Sequence, residues 1–175
     1  MAERGWWSTK VRQFRAHARA RVSPEERTGL TGSLTPPQLA LFDSMAVADQ
    51  RHGLDVVATL RATRPTHGIK DPDVVDPDLL LAGLLHDAGK GASVGLWPRV
   101  AWSLGDRYGA WIWRVAGLWP GFTVALETLH DHAERSAELA ERAGCSARVV
   151  ELIRNQAAPD GQEAGLLLLA ADEAN

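Results

Sequence analysis

The sequence predicts an all-α fold, a helical bundle carrying an N-terminal helical extension. Three observations predict it: helix-start chemistry recurs along the chain, apolar residues recur at helical spacing, and strand-type alternation is nearly absent. Ser23-Pro24-Glu25-Glu26 reads as a Ser cap, a Pro at the first helical position and a Glu three residues past the cap. Thr35-Pro36-Pro37-Gln38 repeats the pattern, and Asp76-Pro77-Asp78 does so before an apolar run. Gly144 stops one helix and Ser146 caps the next. These signals place helices over 8–21, 24–31, 36–46, 47–63, 77–88, 96–118, 123–143, 147–157 and 162–174. Residues 64–76, with Pro65 and Pro72, form a loop. Residues 1–48 are the extension packed on the core, and 49–175 are the main domain.

Two helices stand out. The first has Trp7, Val11, Phe14, Ala18 and Val22 on one face, flanked by Lys10, Arg12, Arg15 and Arg19. Such a basic amphipathic helix can dock on the core, lie on an anionic membrane or contact a polyanion. Docking is the favoured expectation, and peripheral membrane contact by residues 1–22 the alternative. The second, over 96–118, holds Trp97, Trp102, Trp111 and Trp113. Trp97, Val100, Leu104, Tyr108, Trp111, Val115 and Leu118 form a stripe that reads as core. Trp102 and Trp113 lie off it and read either as an apolar patch, suited to a homodimer contact in preference to a membrane contact, or as residues covered by the N-terminal helix.

Composition narrows the function classes. Nineteen basic against 22 acidic residues give a net charge of −3, which offers no global case for nucleic-acid binding. The single cysteine, Cys145, excludes an internal disulfide framework and fits a reducing compartment. No secretory signal is visible, and the longest uncharged runs fall short of the roughly 20 residues a spanning helix needs. A cytoplasmic protein is the expectation.

The polar residues inside apolar helices carry the chemistry. The run 79–90, LLLAGLLHDAGK, ends on His86 and Asp87, followed by Gly89 and Lys90. Two metal-grade ligands on a segment built to be buried are costly unless something satisfies them, and a cation satisfies both. His52 lies within an apolar helix, and Asp172 ends the run Gly165–Asp172 that contains four consecutive leucines. Together they form a mixed nitrogen and oxygen donor set suited to Mn, Fe, Co, Ni, Zn or Mg. The ligands come from three separate helices, as in metal sites of bundle cores.

At these residues the chain resembles the HD-domain superfamily of metal-dependent phosphohydrolases, whose signature is a distant His, a His-Asp pair and a later Asp. Here those are His52, His86-Asp87 and Asp172, with 86–90 resembling the extended His-Asp-x-Gly-Lys form. The resemblance covers roughly the stretch from Asp49 to Asn175. It implies an HD-domain-like bundle and hydrolysis of a phosphomonoester or phosphodiester, with a nucleotide the expected substrate class. It implies a divalent ion on His52, His86, Asp87 and Asp172, with Asp87, Lys90 and His132 as catalytic candidates. Lys90 and Arg51 are the candidate phosphate contacts. Some relatives carry two further histidines and hold two metals. His132 resembles the first, and the second falls near Gln156, where histidine is absent. One ion per chain is therefore expected over two, with His132 and Gln156 as weaker ligands. The Gly-Tyr-Pro motif of cyclic-dinucleotide-cleaving relatives is missing. A non-catalytic module that binds metal or nucleotide and acts as a sensor or partner-binding domain is the alternative.

Overall fold

The computed structural model describes residues 19–63, 76–92 and 94–175. The predicted helix over 8–21 falls almost wholly outside the described residues, as do His17, His67 and nearly all of the predicted loop at 64–76. Among the described residues the protein is all-helical. The elements are α1 (Pro24–Thr31), α2 (Pro36–Ser44), α3 (Val47–Ala62), α4 (Pro77–Leu85), a 3-10 turn (Ala88–Lys90), α5 (Leu96–Tyr108), α6 (Trp111–Ala116), α7 (Phe122–His130), α8 (His132–Arg142), α9 (Ala147–Arg154) and α10 (Glu163–Ala174). No described helix is long and apolar enough to cross a membrane.

The capping chemistry works as the sequence predicts. The Ser23 hydroxyl accepts from the Glu26 N–H while Glu26 accepts from the Ser23 N–H, a reciprocal box that closes the start of α1. Gln38 accepts the Thr35 N–H at α2, Asp76 accepts the Asp78 N–H at α4, and Ser146 accepts the Val149 N–H at α9. Each satisfies backbone donors that the first helical turn leaves without partners.

Helix α4 is the centre of the main core and packs against α2, α3, α9 and α10. Its Leu79, Ala82, Leu84 and Leu85 are buried with Val56 and Leu60 of α3, Val149 and Ile153 of α9, and Leu168 of α10. Leu41 and Phe42 of α2, and Met45 just after it, enter the same core. Gly53 sets the spacing of α3 and α4: a Cβ there would stand 2.5 Å from the Leu84 carbonyl oxygen. Backbone cannot yield to that degree, so only glycine permits this approach.

Two predicted helices are each two. The span 96–118 breaks at Gly109, whose φ of 115° is outside the helical region and open to glycine. The chain reverses there and lays α6 on α5. The span 123–143 breaks at Asp131, whose φ of −96° and ψ of 9° end α7 and start α8. Helix α4 stops at Leu85, three residues before the predicted end, because the chain tightens into the 3-10 turn.

The reversal at Gly109 inverts the predicted roles of the tryptophans. Trp102 and Trp113 stack with ring centroids 4.8 Å apart and an 11° interplanar angle. The Trp113 indole N–H donates to the Trp102 carbonyl, and its ring lies where any side chain at Gly105 would be. Together with Phe122 they pack on Ala101, Ala116 and Leu126, a second small core. Most of the stripe expected to be core faces outward instead, with Trp97 68 % exposed, Trp111 61 % and Leu118 80 %, while Val100 and Leu104 are half-buried. A stripe computed along one straight helix loses its meaning once the helix folds back on itself. Arg99 ties this sub-bundle to the main core through a two-pronged pair with buried Asp49 on α3, at 2.6 and 2.7 Å.

Candidate metal centre

The site is assembled at the end of α4. His86 is fully buried, and its Nδ1 lies 2.9 Å from the Gly83 carbonyl oxygen one turn back. A carbonyl only accepts, so Nδ1 carries a proton and Nε2 faces the other side. That Nε2 is buried without a hydrogen-bond partner. It lies 3.5 Å from Asp87 Oδ1 and 3.4 Å from Asp172 Oδ1. Asp87 is equally buried, and its Oδ1 also lacks a partner. Its Oδ2 accepts from the Lys90 ammonium at 2.5 Å.

His52 and Asp172 close the cluster from α3 and α10. His52 Nε2 is 2.7 Å from Asp172 Oδ1 and 4.0 Å from Asp87 Oδ2. One ligand atom each from His52, His86 and Asp172 lie within 4.8 Å of one another, a group able to hold a metal ion. His132, the first residue of α8, repeats the device of His86. Its Nδ1 donates to the Leu129 carbonyl at 2.7 Å, which leaves Nε2 3.9 Å from Asp87 Oδ1. The break at Asp131 therefore starts α8 with this imidazole turned toward the cluster.

The electrostatics describe a place built for positive charge. Burial opposes ionisation of Asp87, but His86, Lys90 and His52 prevail and hold its pKa far below the usual carboxylate range. Asp172 is likewise held far down, against its burial, by its hydrogen bond with His52 and by the nearby His86 imidazole. Burial alone would lower the His86 pKa, yet the Asp87 and Asp172 carboxylates reverse the direction and raise it. His132 goes the other way, pushed down by burial and by the Lys90 ammonium. Two ionised carboxylates facing buried lone pairs need a proton or a cation between them. The donor atoms of His52, His86 and Asp172 are close enough together to share one ion, and Asp87 lies beside that group.

The surrounding shell fixes this geometry. Gly89 lies flat against the start of α8: its N–H donates to the buried Ser136 hydroxyl at 2.8 Å. A Cβ on Gly89 would strike the His132 carbonyl and stand 2.5 Å from the Ser136 nitrogen. Gln156 is buried, and its amide donates to the His86 carbonyl oxygen at 3.2 Å. It therefore supports the backbone of the His-Asp turn from beside the donor cluster. Arg51, adjacent to His52, is engaged by Glu26 at 2.6 Å and Asp55 at 2.9 Å. A phosphate contact by Arg51 requires one of those pairs to open.

The structure thus brings together His52, His86, Asp87, Asp172, Lys90 and His132. The sequence reading missed Asp49, Arg99, Ser136 and Gly53. Asp49 had a legible signal, a carboxylate one turn before His52 on an apolar helix; the others depend on partners distant in sequence. Comparison with family models, with characterised proteins and with solved structures finds no match to this chain.

Proposed function

We propose that the protein is a metal-dependent phosphohydrolase of the HD-domain type, acting on a nucleotide or a related phosphate ester. The observation that carries this reading is that two partnerless buried atoms, His86 Nε2 and Asp87 Oδ1, lie 3.5 Å apart, with Asp172 Oδ1 3.4 Å from the first and His132 Nε2 3.9 Å from the second. A divalent ion there supplies an acidified water and withdraws charge from a phosphoryl oxygen. His52, His86, Asp87 and Asp172 hold the ion, with imidazole and carboxylate donors that suit borderline and hard cations.

The cluster has a floor and an open rim, which supports access by a substrate. His86 and Asp87 side chains are 1 % and 2 % exposed, whereas Asp172 is 40 % exposed and His52, His132 and Lys90 are each near one quarter. Lys90, paired with Asp87 and partly exposed at the rim, would contact a substrate phosphate. His132, kept neutral and with Nδ1 tied to Leu129, presents Nε2 as a proton acceptor or phosphate contact.

The test is an assay of the purified protein with Mn, Co, Ni and Mg against a nucleotide panel and an aryl phosphate. Metal-dependent turnover that vanishes in Asp87→Ala is the expected result. Bound metal without turnover on any substrate supports the non-catalytic sensor module in its place.

A further inference from the structure

We propose that the α5–α7 sub-bundle is a peripheral membrane-binding surface that seats on a bilayer with anionic headgroups. Large exposed apolar side chains gather there to an unusual degree. Seven of the nine on the described surface lie between Trp97 and Val124. Scattered single residues need no explanation, but a concentration of this size marks a surface that meets something.

The chemistry of the patch selects a lipid surface. The turn between α6 and α7 carries the most exposed of these side chains, Leu118 at 80 % and Trp119 at 60 %, followed by exposed Pro120 and Gly121. Trp97, Trp111 and Val124 extend the apolar surface from the three helices. Tryptophan combines an apolar body with one N–H and favours the headgroup level of a bilayer. The charges agree. The chain is net negative, yet the stretch 107–126 carries Arg107 and Arg114 and no carboxylate. Both arginines are exposed. The segment 1–22 has six Lys or Arg against one Glu, with Trp6, Trp7 and Phe14 among them. Exposed apolar side chains with Arg107 and Arg114 among them combine the two signals that peripheral attachment to an anionic surface requires. Attachment is at the surface, since no described helix can span the bilayer.

The surface has its own core, so it can bear load. The Trp102–Trp113 stack fixes α6 on α5, and the Arg99–Asp49 pair fixes α5 on α3. The exposed side chains therefore sit on a framework tied to the main core through Arg99 and Asp49.

The test is co-sedimentation of the full chain with vesicles of phosphatidylcholine alone or with about one third phosphatidylserine, at low and high salt. Binding to the anionic vesicles, weakened by salt, is expected, and Leu118→Asp with Trp119→Asp lowers it about tenfold. Quenching of unmodified protein by brominated lipid gives a second readout that no folding defect can mimic, and strong quenching is expected. Absence of both binding and quenching on anionic vesicles overturns the proposal. So does a salt-resistant homodimer abolished by Trp119→Asp with no vesicle binding, because a second copy then covers the patch. Binding that survives the double substitution but is lost in Lys10→Glu/Arg12→Glu/Arg15→Glu also overturns it, because residues 1–18 alone then carry the contact. None of these outcomes touches the phosphohydrolase reading, which is decided by metal and turnover.

Discussion

Replacing Gly89 by alanine tests whether close backbone packing sets the geometry of the metal centre. The added Cβ would meet the His132 carbonyl and the Ser136 nitrogen at about 2.5 Å, roughly 1 Å short of ordinary contact. Both obstacles are backbone of the first turn of α8, so neither can rotate away. The 3-10 turn must move off α8, the Gly89 to Ser136 hydrogen bond lengthens, and Asp87 separates from His132. Overpacking of this kind costs about 3 kcal/mol, which in a chain of this size lowers Tm by roughly 6–12 °C. Displacing the support of a ligand lowers metal affinity by about 10–100-fold, and a shift near 1 Å reduces turnover by about 100-fold. Thermal unfolding with and without metal, and titration calorimetry with Mn, measure both effects. Gly29→Ala is the control: its Cβ meets nothing, so the helix gains up to about 1 kcal/mol from propensity. If Gly89→Ala retains Tm within about 2 °C and full metal affinity, close packing of this turn is not what positions Asp87.

Other perturbations follow from the same contacts. Ser136→Ala leaves the buried Gly89 N–H without an acceptor, and denaturant unfolding should show a loss of about 1–3 kcal/mol. Arg99→Met strands Asp49, whose side chain is 5 % exposed, at a cost of about 3–5 kcal/mol. The Arg99→Met/Asp49→Leu double variant should be more stable than Arg99→Met alone, and a further loss would contradict a compensated pair. Metal uptake should release a proton, because the carboxylates raise the His86 pKa and a cation must displace its Nε2 proton. Affinity therefore rises with pH until it passes the His86 pKa and then levels. Asp87 and Asp172, held far down, release none above about pH 4. Calorimetry in buffers of different ionisation enthalpy counts the protons, and an affinity independent of pH from about 5.5 to 7 rules this out.

Local chemistry was legible in the sequence, and features built by chain reversal were not. Ser23 with Glu26 and Ser146 with Val149 are pairs three residues apart, so their residue types announce the helix starts they cap. His52, His86 and Asp172 could be singled out because each is a polar group on an apolar helix, and such a group needs a partner wherever the helix packs. The tryptophan helix was misread for the opposite reason. Periodicity assumes a continuous axis, and Gly109, at 115° in φ, ends that axis without a proline to announce it. Trp102 and Trp113 then meet across the fold, and most of the expected core stripe turns to solvent. Asp131 hides its break more completely, since an ordinary residue in the bridge region carries no compositional mark. Arg99 and Asp49 stand 50 positions apart, and nothing in either segment names the other.

The central claim is that His52, His86, Asp87 and Asp172 hold a divalent cation. Elemental analysis of the purified protein, paired with titration of the metal-stripped form, tests it most directly. One tightly held ion per chain is expected in the unmodified protein, and its loss in His86→Ala and Asp172→Ala variants that remain folded by circular dichroism. A stripped protein that stays folded and takes up none of Mn, Fe, Co, Ni, Zn or Mg near pH 7 would contradict it.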